Sequence, residues 1–141
     1  MALRRDVDRT LPARAVLATR TTLNGLLYST ASSHVGNSNV LVKAAVREPE
    51  EPCAAKIAYV LRFEKQTVII VRYHLPTTSP ARDLFSRYPV LRTSVWNPEV
   101  SDRLSAVTVE QIVCHFAELH ATWAEQKIMI AVSLSRVSYY H

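Results

Sequence analysis

Three ring-bearing side chains near the middle of the chain, Tyr73, His74 and Trp96, have the chemistry of a recognition site. The stretch "VIIVRYHLP" (68–76) runs from an apolar segment into Arg72, Tyr73 and His74, and Trp96 lies farther along. Aromatic faces attract ammonium groups, and each well-placed ring contributes about 0.5–2 kcal/mol. We therefore predict a ligand-binding site that contains Tyr73, Trp96 and His74. The alternative is that the two aromatic rings are half-buried packing residues with their polar atoms near the surface.

The segment "CHFAELH" (114–120) contains potential metal ligands and a potential nucleophile. Structural zinc needs four ligands, commonly contributed as spaced pairs, whereas Cys114 and His115 are adjacent and diverge on a strand. Adjacent residues also do not bring a thiol and an imidazole within hydrogen-bond reach, and no third residue is indicated that would orient the imidazole. We therefore predict no metal site and no catalytic centre. Cys114 is expected to be a small buried apolar residue, with His115 at the surface.

Two groups of arginines have the chemistry to contact nucleic acid, because guanidinium groups bind phosphate and nearby rings stack on bases. Within residues 1–20, five arginines and two aspartates leave a net charge of +3, out of +5 for the chain. The second group lies in the connector "RDLFSRYPVLR" (82–92), beside Phe85 and Tyr88. The predicted contacts are Arg4, Arg5, Arg9, Arg14, Arg82, Arg87 and Arg92. The alternatives are a solvated tail and a packed connector.

Composition limits the classes of protein and of function. The 141 residues, 48% of them apolar, predict one folded domain. Two glycines cannot form a glycine-rich phosphate loop or a dinucleotide fingerprint, and we expect no cofactor. No apolar run approaches the roughly 18 residues of a membrane span. Two cysteines do not form a disulfide framework, so we expect a reduced, intracellular protein.

Most of the chain has residue patterns that are typical of β-strands. In "AAKIAYVLRF" (54–63), Ile57, Tyr59 and Leu61 fall on one face, which predicts a strand with Tyr59 in the core. A second strand is predicted over Gln66–Leu75, joined to the first by Glu64-Lys65 in a loop wider than the tightest hairpin turns, because this pair suits those turns poorly. Further strands are predicted over Asn39–Val46, Leu104–Val109 and Lys127–Leu134, with another possible strand in "RTSVWN" (92–97). The segment Glu110–Leu119 fits either a helix or a strand, and a short helix is predicted over Arg82–Tyr88. About six strands with little helix favour a compact barrel, in which no sheet edge is exposed.

The order of these features resembles the bromo-adjacent homology (BAH) domain, over roughly residues 39–135. Ala55-Lys56-Ile57 matches its A-[RK]-I strand, Val71-Arg72-Tyr73 with Pro76 matches the strand that ends in aromatics and proline, and Leu104–His115 matches a later stretch that ends near a cysteine. The aromatic segment is one residue shorter than the family pattern, and Val113 replaces its usual glycine. The resemblance implies a small, distorted SH3-like or BAH-like β-barrel with short helical turns. It also implies a methyl-lysine reader in some members, with aromatics at the strand end that Tyr73 occupies here.

A second resemblance is to fungal proteins associated with DNA transposons. It depends on His34-x-Gly36-Asn37-Ser38-x-Val40, on Asp83 with Tyr88-Pro89, and on "CHFA" (114–117). This likeness implies no activity.

Together these observations predict a basic arm over residues 1–20 and a single BAH-like β domain over residues 21–141. The predicted function is that of a non-catalytic, nuclear, chromatin-associated module that binds a protein tail, such as a histone tail, and has no membrane partner. The alternative is a DNA-binding accessory protein of a mobile element that uses its basic arm.

The DNA-binding alternative is tested by salt dependence. Neutralised phosphates release counterions, so the affinity for duplex DNA should fall steeply as salt rises. Deletion of residues 1–14 should flatten this slope, because it removes four arginines. Fluorescence anisotropy at several salt concentrations measures both. An unchanged slope in the deletion variant would show that the arm does not contact DNA.

Overall fold

Antiparallel strands make up most of residues 15–43 and 52–135, which are the residues that the computed structural model describes. In chain order the ten strands are β1 (Val16–Ala18), β2 (Arg20–Leu23), β3 (Leu26–Ser29), β4 (Asn39–Val42), β5 (Cys53–Phe63), β6 (Gln66–Pro76), β7 (Thr93–Val100), β8 (Ser105–Thr108), β9 (Ile112–Trp123) and β10 (Gln126–Ser133). Within those residues, helical structure is limited to short 3₁₀ turns at Gly36–Ser38, Ala81–Asp83, Pro89–Leu91 and Val109–Gln111. No helix of this part of the chain is long and apolar enough to cross a bilayer. The predicted mainly β class is confirmed.

Eight strands form one antiparallel sheet in the order β1-β5-β4-β9-β10-β7-β6-β8, and β2 pairs with β3 separately. An additional pairing joins β5 to β6 over most of their length. Both strands have eleven residues, so they form a long hairpin. β9 and β10 form the other long hairpin of the sheet. β1 falls within the range 1–20 predicted as an arm, yet Val16–Ala18 pairs with β5.

Three pairs of strands are joined by two-residue loops in which residues adopt left-handed backbone angles. Asn24 and Gly25 have φ values of 51° and 80°, as the Asn-Gly signal predicts for a tight hairpin. Glu64 has a φ of 54°, and Phe63 pairs directly with Gln66. The prediction of a wider loop at Glu64-Lys65 is therefore wrong. The long β5–β6 ladder holds Glu64 in a conformation that its own preferences disfavour.

A β-bulge reverses the side-chain alternation in the middle of β5. The register shifts between Ile57 and Tyr59, where an extra residue lies opposite β6. Because each strand residue alternates in direction, one extra residue moves later side chains to the other face. Ile57 and Val60 are both fully buried, whereas Tyr59 is 43% exposed. The prediction of Tyr59 as a core residue is therefore wrong.

Most buried apolar side chains of the described residues fall into three clusters. The first cluster contains Tyr28, Val40, Val42, Ala55, Ile57, Val60, Ile69, Val71 and Val107. The second cluster contains Leu41, Ala54, Cys114, Phe116, Met129 and Ala131. The third cluster contains Ala81, Val95 and Ile128, with Leu84 and Phe85 packed against it. Adjacent residues of β4 and β5, such as Leu41 and Val42, belong to different clusters, so these strands are covered on both faces.

The ambiguous segment Glu110–Leu119 forms a 3₁₀ turn followed by β9. Thr108 and Gln111 form a capping box around the turn, which satisfies backbone donors at its start. Ile112 onward then pairs with β4 and β10. Pairing with two neighbouring strands decides between the helical and extended patterns that the sequence left open. The helix predicted over Arg82–Tyr88 is present only as short turns.

Replacement of Phe116 by alanine should lower the free energy of unfolding by about 3–5 kcal/mol, because it opens a cavity in the second cluster. Phe116 is 1% exposed. The control is Leu119→Ala on the same strand, where the side chain is 55% exposed and the expected change is about 0.5 kcal/mol. Urea denaturation followed by circular dichroism measures both. Equal destabilisation by the two variants would contradict the described core.

Candidate functional site

Tyr73 lies near the end of β6, opposite Ala55 of β5. Its side chain is half-buried and packs against the first cluster, to which Ala55 also belongs. This is the packing role that the sequence left as the alternative.

Trp96 lies on β7 between two strands, opposite Pro76 of β6 and Met129 of β10. The indole is half-buried and packs against the second cluster. Its Nε1 donates a hydrogen bond of 2.8 Å to Oγ of Ser94. The polar edge of the ring is thus held within its own strand.

The structure does not bring Tyr73 and Trp96 together, because each packs against a different cluster. The predicted two-aromatic cage is therefore not formed in this structure. The physical reason is that successive side chains of a strand point to opposite faces of the sheet. Tyr73 points to the face of the first cluster, and its neighbour His74 points to the other face, where its ring contacts Phe116 of the second cluster.

His74 is 4% exposed and belongs to the interior of the sheet. Its ring lies edge-on to Phe116, with ring centroids 6.2 Å apart. Nδ1 lies 3.0 Å from the carbonyl oxygen of Asn97, which can only accept, so Nδ1 carries the proton. Nε2 is then an acceptor, and it is buried without a hydrogen-bond partner among the described residues.

Burial lowers the pKa of His74, because the interior disfavours the imidazolium form. The hydrogen bond to Asn97 and the charge of Glu118 act in the opposite direction, and Lys56 and His120 add to the lowering. Charged groups on two neighbouring strands, Lys56 on β5 and Glu118 and His120 on β9, therefore influence the pKa of His74. At neutral pH we expect His74 to be uncharged.

Cross-strand register brings an acidic residue and a further histidine to the face of the sheet that Trp96 occupies. Met129 of β10 is opposite both Trp96 and His120, and Ala131 is opposite both Ser94 and Glu118. Directly opposite residues of antiparallel strands point to the same face.

The carboxylate of Glu118 lies 3.5 Å from Nε2 of His120. The side chain of Glu118 is 23% exposed and that of His120 is 59% exposed. The pair therefore extends from the partly buried Glu118 to the solvent-exposed His120. We call Trp96, His74, Glu118 and His120 the Trp96 site. It combines an aromatic face with a carboxylate at the rim, a set suited to a cationic group.

Glu118 and His120 were missed in the sequence. Glu118 lies in the segment Glu110–Leu119, whose pattern fits either a helix or a strand, and His120 follows it directly. Only their pairing partners show where they lie. A strand assignment for β9 would have given the alternation Phe116, Glu118, His120, although not the neighbouring strand.

The predicted nucleic-acid contacts fall into two groups. Arg4, Arg5, Arg9 and Arg14 lie outside the described residues. Arg82 and Arg87 are exposed on the connector. Arg92 is half-buried, and its Nη1 donates to the carbonyl oxygen of Ser135 at 3.1 Å.

The adjacent residues Cys114 and His115 are both packed against other side chains. Cys114 is 4% exposed, as predicted, with Sγ 3.3 Å from Oγ of Ser133. His115 is not a surface residue: its ring stacks on Tyr28 at a centroid distance of 4.0 Å, and burial lowers its pKa. Among residues 15–43 and 52–135, no group of three or more His, Cys, Asp or Glu side chains has the arrangement of a metal site.

The "HVGNSNV" segment (34–40) closes a turn in front of β4. Nδ1 of His34 accepts a hydrogen bond of 3.2 Å from the backbone N–H of Asn37, and Oγ of Ser38 donates to the carbonyl oxygen of Val35. A Cβ on Gly36 would lie 3.3 Å from the His34 ring, so the glycine leaves room for that ring. The polar residues of this motif therefore shape the chain locally.

Comparisons of the chain with protein-family models, with curated proteins and with solved structures found no match.

Acid should destabilise the protein through His74. The folded state keeps this ring neutral to a lower pH than the unfolded chain does, so its contribution to stability is complete above the ordinary pKa of about 6.5 and is lost as pH falls below it. His115 contributes in the same direction. The variant His74→Asn retains a donor for the carbonyl of Asn97 and should show a shallower loss of stability in acid, with stability at neutral pH lower by about 1–3 kcal/mol.

The measurement is the free energy of unfolding by urea at several pH values on both sides of the histidine range. The control is Leu119→Ala, which changes an exposed, non-titrating side chain of the same sheet and should keep the wild-type pH dependence. The same pH dependence in His74→Asn and the wild type would contradict the assignment.

Proposed function

We propose that this protein is a non-catalytic interaction module, built on a small SH3-like or BAH-like β-barrel, that binds a protein tail in chromatin. The Trp96 site receives a cationic side chain of the tail. Histone tails are the first class to test, because their lysines supply such groups.

The strand pairings support the barrel. β5, β4, β9, β10, β7 and β6 pair in that order, and β6 pairs back with β5. Each of these six strands thus has a neighbour on both sides, which is how a sheet avoids exposed edges. The short strands β1 and β8 extend the ladders of β5 and β6.

The observation that carries the function is the presence of Glu118 on the same face as the half-buried indole of Trp96. Across β10, Trp96 faces His120, and Glu118 lies two residues from His120 along β9. With strands about 4.8 Å apart and a rise of about 3.4 Å per residue, Trp96 and Glu118 are about 12 Å apart at the backbone. A cationic side chain that contacts both groups lies over Met129 and Ala131 of β10, which separate them. An aromatic face contributes about 0.5–2 kcal/mol, and a partly desolvated carboxylate adds charge complementarity.

His74 acts in this proposal as a positioning residue. Its ring is buried, so a tail reaches Trp96 before it reaches His74. The hydrogen bond from Nδ1 to Asn97 ties β6 to the residue next to Trp96. The charge of Lys56, which lies close enough to lower the pKa of His74, opposes a highly basic tail. The site therefore suits one ammonium group better than a cluster of them.

Binding should depend on the indole face and on the carboxylate separately. Trp96→Leu keeps an apolar side chain and removes the aromatic face, and Glu118→Gln keeps the size and removes the charge. Each change should weaken binding of the best histone-tail peptide by about 3–30-fold. The assay is fluorescence anisotropy with labelled histone-tail peptides whose lysines are unmodified or methylated.

The matched controls are Tyr88→Leu and Glu110→Gln, which alter an exposed ring and an exposed carboxylate elsewhere. Neither should change the affinity. Circular dichroism shows whether each variant is folded. Wild-type affinity in folded Trp96→Leu, or no saturable binding of any tail peptide, would refute the proposed function.

A further inference from the structure

The connector between β6 and β7 exposes a contiguous group of apolar side chains. Val90 is 84% exposed, Tyr88 57% and Leu91 49%. Single exposed apolar residues are common on protein surfaces, but three within four positions of one loop form a projecting apolar surface. We call residues 82–91 the connector knob.

Successive turns fix the connector knob in one shape. The backbone N–H groups of Leu84, Ser86, Tyr88 and Leu91 each donate to the carbonyl three residues earlier, at 2.9–3.2 Å. Leu84 and Phe85 pack against the third cluster. The N–H of Ser133 donates to the carbonyl oxygen of Arg92 at 3.1 Å, which ties the end of the connector to β10. A surface already ordered in the free protein loses little conformational entropy on binding.

Two positive charges border the apolar residues. Arg82 and Arg87 are exposed, and neither guanidinium has a hydrogen-bond or ion-pair partner among the described residues. The carboxylate of Asp83 accepts a hydrogen bond of 2.8 Å from the Ser79 hydroxyl, four residues earlier. The connector knob thus carries two arginines and one aspartate, a net charge of +1, together with the exposed apolar residues Tyr88, Val90 and Leu91.

We propose that the connector knob is a docking surface for an acidic protein partner that offers an apolar stripe bordered by carboxylates, as an acidic amphipathic helix does. Val90 and Leu91 enter the stripe, and Arg82 and Arg87 pair with the carboxylates. Of the three exposed apolar side chains, Tyr88 has a ring that can stack on a base, whereas Val90 and Leu91, including the most exposed one, do not stack, which favours a protein partner over nucleic acid. Phe85, which could stack, is half-buried against the third cluster. This surface is separate from the Trp96 site, and the inference does not depend on the proposed function.

The test uses the full chain and a fluorescein-labelled peptide of repeated Glu-Leu-Leu-Glu units, followed by fluorescence anisotropy. Saturable binding is expected. Val90→Ser should weaken it about tenfold, because it removes most of the apolar contact of one valine. Arg87→Glu should weaken it by a similar factor and reduce the loss of affinity with added salt.

The matched control is Val35→Ser, since Val35 is also an exposed valine in a turn, 54% exposed, and should leave the affinity unchanged. No saturable binding of the acidic peptide, or equal losses in Val35→Ser and Val90→Ser, overturns the inference. It is also overturned if a labelled DNA duplex binds the chain, loses affinity in Arg87→Glu and not in Val90→Ser, and competes with the peptide. That result would assign the connector knob to phosphate contact.

Discussion

The long antiparallel pairing of β5 with β6 is the interaction on which the rest of the structure depends. Four further strands of the main sheet pair directly with it: β4 and β1 with β5, and β7 and β8 with β6. The remaining two, β9 and β10, connect β4 to β7. The hairpin also separates the two larger clusters. Ala55 and Val71 belong to the first, while Ala54 belongs to the second and His74 contacts it. A two-residue loop between long strands makes this ladder local in sequence, which favours its early formation during folding.

The bulge within this hairpin explains a large part of what the sequence could and could not predict. Alternation of apolar residues was sufficient to locate β5, and a short apolar run was sufficient to locate β6, because both signals depend only on the local sequence. Alternation was not sufficient for Tyr59, since an unpaired extra residue depends on the facing strand and leaves no mark on the local pattern. The tight turn at Glu64 was missed for the same reason: the ladder, rather than the preference of Glu64, selects it.

The same dependence on neighbouring strands limits the prediction of the Trp96 site from sequence. Tyr73 and Trp96 were chosen because of their chemistry and position near strand ends, yet they pack against separate clusters. Glu118 and His120 are neighbours of Trp96 only through β10, whose register with β7 and β9 is a long-range property. Sequence reasoning therefore identified one aromatic member of the site and missed its acidic member. The burial of His74, whose Nε2 has no hydrogen-bond partner in the part of the chain that the structure describes, is also invisible in sequence, although an unsatisfied buried acceptor costs roughly 1–3 kcal/mol.

The two proposed surfaces differ in charge, and this difference has a consequence for assembly. The Trp96 site carries the carboxylate of Glu118 and suits a cation, whereas the connector knob carries Arg82 and Arg87 and suits an acidic partner. A ligand that complements one surface is repelled by the other, so the two ligands do not compete. The connector knob and Trp96 lie close together in the chain, since β7 begins at Thr93, directly after Arg92. If a single partner carried both an acidic helix and a basic tail, the second contact would form at the high effective concentration set by the first. Two contacts of modest strength would then give stable binding, with specificity set by the requirement for both charges in one partner.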